Sequence, residues 1–159
     1  MQLQKMKIGG VLVTQDLGMV SFQGAPDNPG VAGKILEAIG ALEINVDFIS
    51  CSPDLGGGAS ITACVSMLRF EEALREVERL GDELQAQKVV TREAISSVAV
   101  FGPHFREIPN VASRVFNALA EAGINILAIS TSVSSVTCIF DQAALGDALA
   151  SLRSHFEIP

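Results

Sequence analysis

The sequence predicts an α+β protein built from two copies of one small unit. The first observation is an internal repeat, because residues 29–50 (PGVAGKILEAIGALEINVDFIS) recur without a gap as residues 109–130 (PNVASRVFNALAEAGINILAIS). The second is that apolar residues at helical spacing alternate along the chain with short β-branched stretches. Two copies are too few for a solenoid, so we interpret the repeat as a duplicated small domain.

The size and composition of the chain favour two small domains that bury surface against a partner. Its 159 residues leave about 70–80 for each copy, which is near the lower end for independent folding. Apolar residues, counted without glycine, make up 48% of the chain. We therefore expect part of this apolar surface to lie in an oligomer interface, most simply that of a homodimer.

The elements predicted for the first copy alternate between strands and helices. They are strands at 6–14 and 19–23 with a turn at 15–18 between them, a helix from 29, strands at 44–51 and 59–67 around a hairpin loop at 52–58, a helix at 70–84 and a strand at 87–92. Asp27 or Asn28 can cap the first helix, and Pro29 suits its first position. Gly81 interrupts the second helix or ends its regular part. Residues 19–92 therefore give β-α-β-β-α-β, the ferredoxin-like order.

The second copy is predicted to follow the same order but to be incomplete. Its strands are expected at 95–101, 125–130 and 135–140, and its helices at 109–122, ending before Gly123, and at 142–155, capped by Asp141. This copy lacks a fourth strand, while the chain has one strand too many at its start. The strand at 6–14 is therefore expected to complete the second sheet and to remove an unpaired edge. The predicted domains are 18–93, and 94–159 together with strand 6–14.

Charge and cysteine content exclude several classes of partner. The net charge of −7 argues against nucleic acid, whose phosphates require faces rich in Lys and Arg. No stretch approaches the length of a membrane span and the N-terminus shows no cleavage signal, so we expect a cytoplasmic protein without a membrane partner. Cys51, Cys64 and Cys138 lack the spacing of a zinc site. We expect each of them to be a small buried residue in a strand, and we expect no metal.

The sequence offers no set of residues for catalysis. Neither histidine, His104 or His155, has a Ser, Cys or carboxylate at a motif spacing, and no nucleotide or hydrolase motif occurs. The three glycines at 56–58 lie between two strands and not before a helix, so they read as a mobile hairpin rather than a phosphate loop. We expect no catalytic residue and no cofactor in this chain.

The start of the first helix is the best candidate for a binding site. Asp27-Asn28-Pro29-Gly30 leads from a strand into a helix whose first N–H groups are unpaired, and such groups bind a carboxylate. Asp27 beside them suits an amino group, so together they complement an amino acid. The alternative is that Asp27 only caps the helix and Gly30 allows close packing.

Asn45 and Asn125 occupy the same position in the two copies, after the first helix and at the entry to the next strand. An asparagine there stabilises the turn through its side-chain amide, or presents a donor and an acceptor at an exposed strand edge. The duplication is consistent with both interpretations, because both copies need the turn.

These residues resemble those of a known family. The stretches 27–32 and 44–47, with Ala38 between them, resemble the first ACT domain of aspartate kinase. GINI at 123–126 followed by ISTS at 129–132 resembles the second. The resemblance extends from about Met6 to Phe156 and excludes the kinase catalytic domain. It implies the regulatory part of that kinase, which acts on L-aspartate with ATP: a small β-subunit, a regulatory fragment or a free-standing homologue.

The resemblance implies an allosteric role and a set of site residues. ACT domains pair side by side, often across chains, and bind amino acids between them; in aspartate kinases these are lysine, threonine or both, acting as feedback inhibitors of aspartate-family amino acid biosynthesis. The implied partners are a second copy of the chain and an aspartate kinase catalytic subunit. The implied effector site consists of Asp27, Gly30, Val31 and Ala32 facing Asn125 and Ile126. A second effector site would consist of Pro109, Asn110, Val111 and Ala112 facing Asn45 and Val46.

Some positions depart from the family pattern and keep two alternatives open. Cys51 stands where the family often has Gln, Asn110 replaces the Gly of the second copy, and Val133 stands where a charged residue is usual. The loop at 102–108 lacks a counterpart of Asp27 unless Glu107 serves. Asn tolerates the left-handed conformation better than most residues. Cys51 and Val133 favour an ACT dimerisation or assembly module that binds no ligand. A small enzyme on the same fold is the other alternative, because fold does not determine function.

Overall fold

The computed structural model describes residues 4–103 and 105–159, so His104 lies outside the described residues. The chain divides into two compact units. The first unit is Asp16–Ala94, and the second unit comprises the residues up to Gln15 together with Ile95–Pro159. Among the described residues, no helix combines the length and the apolar character that crossing a membrane requires.

The elements follow one another in mixed α and β order. They are β1 (Met6–Lys7), β2 (Gly10–Pro26), α1 (Val31–Ala41), β3 (Val46–Pro53), β4 (Gly58–Ser66), α2 (Phe70–Glu83), β5 (Lys88–Phe101), α3 (Val111–Glu121), β6 (Ala128–Thr131), β7 (Ser135–Asp141), α4 (Leu145–His155) and β8 (Phe156–Glu157). Short 3₁₀ turns at Met67–Arg69 and Gln142–Ala144 precede α2 and α4. The fold is therefore the predicted α+β type with two ferredoxin-like units.

In the first unit the strand order is β3-β4-β2-β5. β4 is antiparallel to both β2 and β3, with Val20 and Ile49 each opposite Ala63. Helices α1 and α2 cover the core of this unit. The main cluster of buried core residues is Val20, Phe22, Ala25, Val31, Ile35, Ile39, Ile44, Ile61, Val65, Phe70, Ala73, Val77, Leu80 and Leu84.

In the second unit the order is β2-β5-β7-β6, and β7 is antiparallel to both β5 and β6. The start of the chain belongs to this unit, and the amide of Gly9 donates to the carbonyl of Phe101 at 2.7 Å. The first part of β2 thus lies beside β5 and completes the sheet of the second unit, as predicted for strand 6–14, whereas Met6–Lys7 form a separate short strand. The buried core residues are Val98, Val100, Val111, Val115, Ala118, Leu119, Val136, Cys138, Phe140, Ala148, Leu152 and Phe156.

The prediction that the second copy has no strand after its last helix is wrong. Phe156 and Glu157 form β8, which pairs in parallel with Met6 and Lys7 of β1. Phe156 is buried in the core and anchors this short pair. The last helix also begins later than predicted, at Leu145 after a 3₁₀ turn, and Asp141 forms no side-chain cap.

The predicted turn at 15–18 is also wrong, because β2 runs without a break from Gly10 to Pro26. Leu17 and Gly18 pair with Ser66 and Val65 of β4, so turn-type residues lie within a hydrogen-bonded ladder. Asp16 has a left-handed backbone, with φ 55°. The long strand β5 is likewise continuous where two strands were predicted, and its Ala94 has φ 53°.

Gly81 was predicted to interrupt the second helix or to end its regular part, and it does neither, because α2 continues without a break to Glu83. A Cβ atom at Gly81 would lie 2.7 Å from Cγ2 of Val89, well inside contact distance. Gly81 therefore allows Val89 of β5 to pack closely against α2. Cys51 is a further correction, because its side chain is exposed, whereas Cys64 and Cys138 are buried as predicted.

Candidate functional site

The first candidate element is the N-terminus of α1, which begins two residues later than predicted. The helix starts at Val31, and Gly30 is its N-cap with φ 95° and no side-chain hydrogen bond. The carbonyl of Gly30 accepts from the amide of Lys34 at 3.0 Å, and the amide of Val31 makes a long 3.4 Å bond to Asn28. The predicted cap by Asp27 or Asn28 is wrong because a left-handed glycine makes the turn instead.

Two amides at this helix end are available to a ligand. In residues 4–103 and 105–159, the amides of Ala32 and Gly33 donate no hydrogen bond. The helix dipole adds partial positive charge at the same place, so the site suits a carboxylate. A Cβ at Gly30 would meet no atom within 4 Å. Close packing therefore does not explain this glycine, and its positive φ does.

Asp27 lies four residues before the helix, directly after β2, and its side chain is exposed. Within the described part of the chain its carboxylate forms neither a hydrogen bond nor an ion pair. It therefore has no capping role here, and it offers one negative charge close in sequence to the two unpaired amides. That arrangement suits the ammonium group of an amino acid.

Val31 and Val111 were predicted as site residues, and both side chains are buried, with exposed fractions of 9% and 4%. They belong to the cores of the first and second units. Any contact with a ligand must therefore use their backbone atoms. Ala32 and Ala112, the next residues, are half-buried.

The equivalent helix start in the second unit has a similar backbone but different side chains. Asn110 is the N-cap of α3 with φ 69°, as its tolerance of the left-handed conformation predicts. Its carbonyl accepts from the amide of Arg114 at 3.1 Å and from the hydroxyl of Ser113 at 2.9 Å. Pro109 before it is exposed.

The two asparagines have different surroundings in the two copies. Asn45 is exposed and directly precedes Val46 at the start of β3, an outer strand of the first unit. Asn125 is also exposed, but it lies in a loop together with Ile126, because β6 begins only at Ala128. The prediction of a strand from residue 125 is therefore wrong.

The sequence did not reveal an apolar cavity in the second unit. The cavity measures about 260 Å³ and is lined by Lys7, Ile8, Gly9, Gly102, Pro103, Phe105 and Ile108. Phe105 and Ile108 are apolar residues in a predicted loop, and this is the one signal that could have indicated it. Among the described residues, no group of three or more His, Cys, Asp or Glu side chains could hold a metal ion.

Comparison with known proteins defines the class. Residues 98–156 match the family model of the ACT domain. The aspartate kinase of Pseudomonas fluorescens is 34% identical over 151 residues, which are 95% of this chain and 37% of that protein. The ligand-free regulatory subunit of aspartate kinase from Thermus thermophilus superposes with a TM-score of 0.84 at 27% identity, over 94% of this chain and 99% of that one.

A structure of aspartokinase alpha and beta subunits also matches, with a TM-score of 0.84 at 28% identity over 93% of this chain and 97% of the matched chain. The protein is therefore an ACT-domain protein. Within that class, the chain is similar over 95% of its length to an aspartate kinase, and its fold is that of the regulatory subunit of such a kinase. The chain spans 37% of the length of the Pseudomonas fluorescens relative.

Proposed function

We propose that this chain binds an amino acid and regulates an aspartate kinase by feedback inhibition, with lysine, threonine or both as the effector. The observation that supports this most is the start of α1, where two unpaired amides follow a left-handed Gly30 and an exposed, unpaired Asp27. These groups complement the carboxylate and the ammonium group that every amino acid carries.

The proposed effector site uses Asp27 for the ammonium group and the backbone at Gly30, Val31 and Ala32 for the carboxylate. The exposed Asn125 and the neighbouring Ile126 complete it when ACT domains pair. A second site would use Pro109, Asn110, Val111 and Ala112 with Asn45 and Val46. At the position equivalent to Asp27 the second copy has Glu107, which already takes part in another interaction, so we expect the second site to bind more weakly.

The regulation follows from differential binding. A ligand shifts the arrangement of paired ACT domains only as far as it binds one arrangement more tightly than another. A coupling of about 1–3 kcal/mol is ordinary for such a switch. We propose that the chain acts in the cytoplasm as a homodimer, and that its target is an aspartate kinase catalytic domain or subunit.

The test is a melting screen against the twenty amino acids at millimolar concentration, because a ligand that binds only the folded state raises its stability. We expect a shift with threonine, lysine or both. Asp27→Asn should reduce that shift, and Asn125→Ala should do the same. Asp82→Asn is the matched control, because it removes one exposed carboxylate from α2 that is not among the proposed effector residues.

A second candidate function is an ACT assembly module that binds no amino acid. The observation that favours it is Val133, whose side chain is 67% exposed just after β6, where it could bury apolar surface against a partner. A melting screen that is flat for all twenty amino acids would support this candidate. Co-purification of a kinase chain would then be the next measurement.

A further inference from the structure

The apolar cavity of the second unit is separate from the proposed effector sites. Its described lining consists of Lys7, Ile8 and Gly9 at the start of the chain and of Gly102, Pro103, Phe105 and Ile108, and none of these is among the twelve proposed effector residues. It lies within one compact unit. The inference below does not depend on the proposed amino-acid sensing.

The walls of the cavity are held in place by the core. Ile8, Phe105 and Ile108 are partly buried and pack against the core of the second unit. Phe105 also closes over Gly102, where a Cβ would lie 2.5 Å from its ring. The cavity is therefore bounded by packed apolar side chains, the usual character of a small-molecule pocket.

Three backbone amides of the cavity wall are already paired. The amides of Ile8, Gly9 and Gly102 donate to the carbonyls of Glu157, Phe101 and Ser134 at 3.3, 2.7 and 2.9 Å. These three amides are therefore not available to a ligand.

Among the described residues of the lining, Lys7 is the one charged group. It is exposed, and within the described part of the chain no carboxylate forms an ion pair with it. Glu157 is its neighbour in the β1–β8 register and is exposed as well. An unpaired cation beside an apolar cavity, in a chain of net charge −7, selects for an anionic group attached to an apolar body.

We propose that this cavity binds a small monocarboxylate with a branched or aromatic apolar body, the body filling the space between Ile8, Phe105 and Ile108 and the carboxylate facing Lys7. The volume of about 260 Å³ admits a group of the size of a leucine or phenylalanine side chain. Glu157 weakens the site, because a second carboxylate beside Lys7 competes with the ligand.

The experiment uses the full chain with labelled isoleucine methyl groups and two probes, 4-methylpentanoate and its neutral amide. Titration with the carboxylate should move the methyl signals of Ile8 and Ile108. Lys7→Gln should weaken the binding of the carboxylate probe by about two- to fivefold, which is the range of an exposed ion pair, and should leave the affinity for the neutral amide unchanged. Lys5→Gln is the matched control and should change the affinity for neither probe. Glu157→Gln should increase the affinity for the carboxylate probe.

Three results would overturn the proposal. The first is that neither methyl signal moves at millimolar probe. The second is that Lys7→Gln binds the carboxylate as tightly as the unchanged chain. The third is that both signals move with protein concentration and not with the probe, which would mean that a second copy of the chain fills the cavity. Asp27→Asn should leave the probe titration unchanged, so failure here is distinguishable from failure of the effector site.

Discussion

Glu43 and Gly123 occupy the same left-handed position at the ends of the two repeated helices, with φ 57° and 71°. In each copy the next residue, Ile44 or Ile124, donates its amide back to the last turn, at 3.4 and 3.0 Å respectively. This is the geometry of a Schellman ending, for which glycine is best suited. The first copy therefore carries a strained residue where the second copy has none.

The first prediction is that Glu43→Gly stabilises the protein. The left-handed conformation of a non-glycine residue destabilises the folded state by about 1–2 kcal/mol, and glycine relieves this strain. Glycine also gives the unfolded chain more conformational freedom, which offsets about 0.4–1 kcal/mol of the gain. We expect a net gain of about 0.5–1 kcal/mol, measured by urea unfolding. Glu43→Ala is the matched control, because it removes the charge but keeps the strain, and it should not stabilise. An equal gain from both variants would contradict the argument.

The second prediction concerns Gly81 and Val89. Alanine is favoured over glycine inside a helix by about 1 kcal/mol, yet Gly81→Ala should destabilise because its methyl group overlaps Val89. In the Val89→Ala background the methyl group has room, and the same substitution should become neutral or stabilising. The measurement is a double-mutant cycle of unfolding free energies. Additive effects of the two changes would show that the overlap does not matter.

The third prediction concerns thiol reactivity. Burial raises the pKa of the Cys64 thiol to about 12, with a smaller contribution from the charge of Asp47, and burial likewise raises the pKa of Cys138 to about 12. Because the thiolate is the reactive form, neither should react with an aromatic disulfide reagent in the folded protein. The exposed Cys51 should react at once. We expect one thiol to react rapidly in the native protein and three thiols to react after unfolding. Cys51→Ser should abolish the rapid reaction of the native protein.

The fourth prediction follows from the same raised pKa values. Folded thiols keep their protons to a higher pH than unfolded thiols, so the stability they provide is complete below the ordinary pKa of 9.0 and is lost as the pH rises toward 12. Each thiol should contribute up to about 1.4 kcal/mol of loss per pH unit in this window. Urea unfolding across the window measures the slope, and the chain has no tyrosine whose titration would overlap.

The control for this pH dependence is the double variant Cys64→Ala, Cys138→Ala. Its unfolding free energy should start lower, because the two small side chains leave cavities in the core. Its slope above pH 9.0 should be clearly shallower than that of the unchanged chain. An unchanged slope would mean that other groups cause the loss of stability.

Much of the fold could be predicted because the repeat and the apolar spacing are properties of neighbouring residues. Val31, Ile35 and Ile39 are buried on one helix face, as their spacing indicates. The pairing of the first strand with the second unit followed from counting strands. The left-handed cap at Asn110 followed from the conformational tolerance of asparagine.

What could not be predicted depends on partners that are distant in sequence. The residues of the predicted turn at 15–18 extend a strand because Leu17 pairs with Ser66. Gly81 belongs inside a helix because Val89 lies against it. At the start of α1, Asp27 and Asn28 have the composition of a cap, but Gly30 makes the turn and leaves Asp27 unpaired. The apolar cavity required Phe105 and Ile108 to meet the start of the chain.

The discontinuous second unit has a consequence for cutting and rejoining the protein. A single break after Ala94 would separate Ile95–Pro159 from the residues up to Gln15 that complete its sheet. The shorter fragment would then expose an open edge on β5, and the longer fragment would carry a strand with nothing to pair against. Each fragment carries the strand with which the open edge of the other would pair. We therefore expect each fragment to aggregate when it is made alone, and the two to reassemble when they are made together.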